Sequence, residues 1–322
     1  MSKLNHRILY FLDRNGRVTL SKIAKSLKTS EQRISYAVKS MKKGRQIKFY
    51  STVFDYSKFD FNGYLVLFHV YRKQEEAINL ISKLKDIPEV VQIESLQGKY
   101  DVMALFLSPN PSSFNKTLKQ FISDNKEMIK DNSICTVIVT HKFGRFYLNP
   151  WAKSKIFGKI IGGDRAPIKL SKSELLVCKQ LLDNPTITLK DIARSSGLTF
   201  KTIVAKLKSL KKEKIIRKIE PVLDGNKFGI FNKKIFLKYS SYDVDVDKKL
   251  TGFCRITPEV VSMTKIFGMW DVIINFESLK EEKFDIFFYQ LREQYDGIIE
   301  DFEILGIKNK DKFNYLPSNY FS

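Results

Sequence analysis

The sequence predicts an α+β fold of two tandem units, each a small three-helix part followed by a part that alternates strands with helices. The first sign is a long-range repeat. Pro88-Glu89-Val90-Val91, followed by Gly98, Tyr100, Asp101 and Val102, returns 170 residues later as Pro258-Glu259-Val260-Val261 with Gly268, Trp270, Asp271 and Val272. Leu20, Ile23, Ala24, Ser26 and Ile34 return at an offset of 169 as Leu189, Ile192, Ala193, Ser195 and Ile203. Two long units with their parts in one order mark a tandem duplication, not a short solenoid repeat. The second sign is the element order within each unit, which repeats as well.

In the first unit, Leu4, Ile8, Leu9 and Leu12 form one helical stripe that Asn15-Gly16 breaks. A second helix covers Leu20–Leu27, Lys28-Thr29 turns the chain, and Ser30 is a good N-cap for a third helix. That helix buries Ile34, Val38 and Met41 and leads into a β-branched and aromatic stretch, Gln46–Val53, read as a small strand or wing. The second unit repeats the plan: Leu175–Leu182, then Leu189–Ser196 with Gly197 in the tight turn, then a helix capped by Thr199, then a strand at Ile215–Val222. Helix, short turn, helix suits duplex DNA, because the second helix projects into the major groove while the first braces the backbone.

Between these parts, strands are expected at Tyr64–Tyr71, Val90–Leu96, Val102–Leu107 and Ile134–Thr140, with helices at Glu75–Leu84 and Ser113–Asn125. This β-α-β-β-α-β order is the ferredoxin-like split unit. Residues 228–322 give it again, with helices near Asp245–Phe253 and Lys280–Gln294. The expected organisation is a winged helix-turn-helix domain at 1–57, a ferredoxin-like domain at 58–148, a flexible or irregular linker at 149–167, a second winged helix-turn-helix domain at 168–227 and a second ferredoxin-like domain at 228–322.

Charge follows this division. The chain of 322 residues carries a net +21. Residues 1–58 hold 14 Lys/Arg against 3 Asp/Glu and residues 167–227 hold 14 against 6, whereas residues 59–148 hold 11 against 10. Segregation of this kind indicates a surface that meets a polyanion, here double-stranded DNA. The outward faces of the two third helices offer different chemistry: Gln32, Arg33, Tyr36 and Lys39 in one, Lys201, Thr202, Ala205 and Lys208 in the other. Arg or Lys bonds guanine, Gln bonds adenine, and Thr or Ala touches a thymine methyl. The same residues also suit an ordinary solvated helix face. Lys28, Lys42, Lys43, Arg45, Lys190, Arg194, Lys211, Lys212 and Lys214 flank these helices and suit phosphates, which fix position but carry no sequence code.

Winged helix-turn-helix parts, each joined by a strand to a ferredoxin-like part with a Gly-x-aromatic-Asp turn, resemble the Lrp/AsnC (leucine-responsive regulator) family. The likeness covers almost the whole chain, twice. It implies a transcription regulator whose ferredoxin-like domains self-associate and bind an amino acid or related small effector near the glycine turn, here Gly98, Tyr100 and Asp101, and Gly268, Trp270 and Asp271. Glycine lets backbone approach a ligand and the carboxylate suits an ammonium group. The same residues equally make a turn needing positive φ, with Asp satisfying local amides. Family members are one unit long, so the fusion implies a pseudo-dimer, paired within the chain, that reads unlike half-sites.

Three cysteines (Cys135, Cys178, Cys254) share no metal-ligand spacing and read as buried thiols. His6, His69 and His141 are too scattered for a metal set, although His69 and His141 fall on strands that could place them side by side. No phosphate-binding glycine loop or nucleophile elbow is present. The expectation is a regulator that is not an enzyme, with no cofactor and no metal. No apolar run nears the roughly 18 residues that span a bilayer, and no apolar secretory stretch follows the first residues, so a cytoplasmic, DNA-associated location without membrane contact is expected. Two alternatives stay open: an architectural chromatin protein with little sequence preference, and an enzyme like the siroheme decarboxylases, which join the same two kinds of domain.

Overall fold

In the computed structural model, residues 3–71, 75–150, 158–241 and 243–321 are described. The first unit runs α1 (Lys3–Arg14), α2 (Leu20–Leu27), α3 (Glu31–Lys43), β1 (Ile47–Phe54), β2 (Asn62–Val70), α4 (Glu75–Lys85), β3 (Val90–Gln97), β4 (Val102–Ser108), α5 (Pro111–Asp124) and β5 (Ile129–Lys142). After β6 (Lys159–Gly162), the second unit repeats this order. Its elements are α6 (Lys172–Asp183), α7 (Leu189–Ser196), α8 (Phe200–Lys212), β7 (Ile216–Leu223), the single turn α9 (Gly225–Phe228), β8 (Phe231–Tyr239), α10 (Val244–Ile256), β9 (Val260–Gly268), β10 (Val272–Ser278), α11 (Glu282–Gln294) and β11 (Ile299–Phe313). A 3-10 turn at Tyr56–Phe59 occupies the place that α9 takes in the second unit. The expected α+β architecture is the one observed.

Each βαββαβ part buries its two helices on one sheet face, around Val66, Phe68 and Phe106 in the first and Ile235, Leu237 and Phe276 in the second. The opposite faces meet each other. Strand β3 pairs with β11 and β5 pairs with β9, all antiparallel, and with β2–β5 the eight strands close into a ring. Closure removes the free edges that would otherwise invite pairing with other chains. One end of the ring is filled by Leu67, Leu96, Tyr100, Phe236, Trp270 and Leu305.

The helix-turn-helix parts are joined by a separate two-stranded sheet, β1 with β7, whose register sets Ser51 opposite Glu220. Those two residues are 169 apart, the repeat offset, so the pseudo-two-fold axis passes through this pair. Packing crosses the axis. Val53, Phe54, Tyr56 and Phe59 of the first unit complete the core of the second three-helix part, while Leu223, Phe228 and Ile230 complete that of the first. Arg17 also bonds the carbonyl of Pro185 at 3.3 Å, linking the two parts directly.

Two expectations need correction. The connector is not wholly irregular: among its described residues, β6 extends the sheet alongside β5, and Asp55 accepts from Gly162 N at 2.8 Å and pairs with Arg165. Residues 151–157 of it lie outside the described residues. The histidines are not neighbours either, since His69 sits opposite Asp131 while His141 sits opposite Met263 and Ile160. Last strands β5 and β11 also run longer than expected, because their extra residues pair with the other unit or with β6.

Candidate nucleic-acid interface

Helix α3 begins where Ser30 accepts a bond from Arg33 N at 3.3 Å, and α8 begins where Thr199 accepts from Thr202 N at 3.1 Å. Ile34, Val38 and Met41 bury one face of α3; Ile203, Leu207 and Leu210 bury the corresponding face of α8. The other faces point to solvent. On α3 they present Gln32, Arg33, Tyr36 and Lys39, with Tyr36 at 77% exposure. On α8 they present Lys201, Ala205 and Lys208, while Thr202 is half-buried in its cap. Val204 and Phe200 join this face, both substantially exposed. Val204 is absent from the residues that the sequence singles out, because an aliphatic side chain carries no charge or hydrogen-bonding signal. Its spacing of three residues from Lys201 places it on the same exposed face. Helix α3 therefore offers hydrogen-bond donors and a phenol, whereas α8 mixes lysines with small and apolar groups.

The flanking cations Lys43, Arg45, Lys211, Lys212 and Lys214 are exposed, and Lys42 lies over the Tyr50 ring at 5.2 Å. Arg45 and Lys214 occupy equivalent turns, each in the left-handed region (φ 53° and 60°) that carries the chain from recognition helix to wing. Lys28, Lys190 and Arg194 are exposed as well.

The glycine turns lie where the two units meet. Gly98 and Gly268 both have φ near 142°, and a Cβ on either would enter the other unit: Leu305 Cδ2 at 2.5 Å for Gly98, Ile134 O at 2.8 Å for Gly268. Asp101 accepts from Val70 N at 3.0 Å, and Asp271 accepts from Tyr239 N at 2.8 Å while facing Lys238 at 3.3 Å. Tyr100 and Trp270 are buried in the ring interior, with Tyr100 bonded to Ser133 at 2.9 Å. None of the six lines the central cavity.

That cavity, of about 130 Å³, occupies the other end of the ring beneath β7. Among the described residues, five cationic side chains and four carboxylates line it. Arg145 bonds Asp13 at 2.7 Å and Glu277 at 2.6 Å; Lys218 meets Glu220 at 2.8 Å; Lys142 pairs with Glu220; Lys234 meets Glu94 at 2.8 Å. Burial alone would raise the Glu277 carboxyl, yet Arg145 and Lys310 hold it down at about 2. Burial lowers the Lys142 ammonium to about 8 despite Glu220 beside it. Periodicity could not reveal this network, because its members come from α1, β3, β5, β7, β8, β10, β11 and the segment after β5. Cys135, Cys178 and Cys254 are free and buried. Among the described residues no cluster of His, Cys, Asp and Glu could hold a metal ion, and no helix is long and apolar enough to cross a membrane.

Residues 1–48 match the family model of winged helix-turn-helix DNA-binding domains. An uncharacterized HTH-type transcriptional regulator of Pyrococcus furiosus is 30% identical over 110 residues, covering 34% of this chain and 73% of that protein. Another, of Pyrococcus horikoshii, is 25% identical over 146 residues, covering 45% of this chain and 96% of that protein. The crystal structure of the siroheme decarboxylase NirDL shares the fold across 100% of this chain and 95% of its own, with a TM-score of 0.60 and 12% identity. This last likeness corrects one expectation. An enzyme is built on the same full-length architecture, so the statement that this chain is not an enzyme does not stand.

Proposed function

Because the chain belongs to the Lrp/AsnC family of helix-turn-helix transcription regulators, we propose that it reads two unlike DNA half-sites, one with each recognition helix. The observation that carries this reading is the pair of exposed, chemically different faces of α3 and α8, held about one pseudo-two-fold axis by the β1–β7 sheet. A symmetric dimer presents the same face twice and reads a palindrome; two different faces fixed in one chain match a site whose halves differ. The exposed lysines and arginines around both helices supply sequence-independent affinity. Selection from a random pool of duplexes tests the reading. The expected product is a pair of dissimilar half-sites at fixed spacing. A palindrome would overturn the asymmetry, and affinity indifferent to sequence would favour an architectural role instead. An amino acid or other small effector and self-association of the ferredoxin-like parts, both implied by the family, belong to this proposal.

A second reading draws on the full-length likeness to siroheme decarboxylase, solved also with an iron-uroporphyrin III analogue. Here the chain would act on an acidic tetrapyrrole. A shifted Soret band on mixing with such a tetrapyrrole would support it; an unchanged band together with salt-dependent DNA binding would support the regulator.

A further inference from the structure

The central cavity differs from one side of the pseudo-two-fold axis to the other. Lys234 on β8 corresponds to Leu65 on β2, and Asn275 and Glu277 on β10 correspond to Leu105 and Leu107 on β4, by the repeat offsets of 169 and 170. Lys234 and Asn275 thus line one wall where their counterparts Leu65 and Leu105 are apolar, while Met103 and its counterpart Ile273 are apolar on both. An assembly of two identical chains must place every wall residue twice. Two unlike units fused in one chain escape that constraint and can encode a single site with a polar end and an apolar end.

The polar wall is continuous. Lys142 lies opposite Ser262 in the β5–β9 register, Ser262 accepts from Asn275 at 2.7 Å, Asn275 accepts from Lys234 at 2.6 Å, and Lys234 meets Glu94. Five cations against four carboxylates leave the lining one positive charge in excess. Burial lowers both Lys142 and Lys234 even with their carboxylate partners in place, so those partners do not fully offset the lost hydration. A second observation is independent of charge. Tyr56, also lining the cavity, is 4% exposed, and its hydroxyl has no hydrogen-bond partner among the described residues. A buried hydroxyl left unpaired costs free energy; this one lies on the Leu105 side, near Gly63, away from the Lys142–Lys234 wall. Size limits the occupant: a cavity of roughly 150 Å³ holds a benzene molecule, and this one is about 130 Å³.

We propose that the cavity binds one small monocarboxylate of roughly six to eight heavy atoms, its carboxylate facing the Lys142–Lys234 wall and its apolar end against Leu65, Met103 and Leu105. Occupancy reaches the DNA-binding parts through Arg145 and Lys218. Both bind Asp13 at the end of α1, and they lie on or beside elements that also line the cavity. This second statement rests on the regulator reading; the site itself does not. An effector of this kind acts only by binding differently to DNA-competent and DNA-incompetent arrangements.

Titration calorimetry on the full chain without DNA, using butyrate and 2-oxobutyrate, tests the site. Saturable heat at one equivalent is expected, with none from butylamine or 1-butanol. Leu105→Phe, which fills the apolar end without touching a charge, is expected to abolish that heat while the variant still melts cooperatively; Met103→Phe serves if Leu105→Phe does not fold. The proposal is overturned by an absence of heat from both acids, by equal heat from butylamine, or by binding that survives a folded filling variant. Displacement of butyrate by an iron-uroporphyrin would also overturn the size class. Fluorescence anisotropy with a selected duplex then tests coupling: saturating acid is expected to change affinity at least about fivefold, and no change would overturn it. A chain that binds acid but no DNA would refute the regulator reading alone. One that binds DNA but no acid would refute this site alone.

Discussion

Single residues decide how the units join and, on the proposed function, what the interface reads. Gly268→Ala forces a Cβ against the Ile134 carbonyl at a φ that L-residues rarely adopt. A loss of roughly 1–3 kcal/mol in urea unfolding is expected; an unchanged midpoint would show that the turn relaxes freely. Arg145→Ala leaves Asp13 and Glu277 buried without their guanidinium, at an expected cost of about 3–5 kcal/mol by the same measurement. The Glu277 carboxyl adds a pH dependence. Its folded value of about 2 lies below the ordinary 4.5. Its stabilisation, about 3 kcal/mol, is therefore complete above pH 4.5 and disappears as pH falls through about 2. Stability followed between pH 6 and pH 2 should show this loss, and Glu277→Gln should make it shallower, the remainder coming from Glu220, which Lys142 and Lys218 also hold low. Arg33→Ala should weaken binding to a selected duplex by roughly 1–3 kcal/mol if Arg33 reads a base. Equal loss on random DNA would mark it as a phosphate contact.

At the scale of elements, the recognition helices were the most legible part of the sequence. Their caps, buried stripes and exposed cations are all local, so spacing along the chain reports them directly. Strand pairing was less legible. Gln46–Val53 and Ile215–Val222 read as two separate wings, yet they are β1 and β7 of one sheet, because each supplies the backbone partners the other lacks. Strand β6 was hidden for a similar reason: its four residues carry little signal alone and are ordered by β5. The last turn of α3 gives an element-level test. Lys43→Ala should lower the slope of log affinity against log salt by about 1 on any duplex. A preserved slope would mean that this turn stands away from the phosphates.

For the whole molecule, the fusion matters more than any one element. Closing eight strands into a ring and joining both wings fixes two dissimilar recognition helices in one frame. Arg33→Ala should therefore relax preference in one half of a selected site and Lys201→Ala in the other, as read by repeated pool selection with each variant; loss in both halves at once would argue against independent half-site reading. The repeat, the α+β class and the cationic faces were determined by the sequence alone, since each depends on residue order or local spacing. The tertiary structure alone decided the role of the glycine turns, the crossed packing of the three-helix parts and the asymmetric charged cavity. Those features depend on which distant segments touch. A carboxylate such as Asp13 or Glu277 gains its meaning only when an arginine more than a hundred residues away is buried against it.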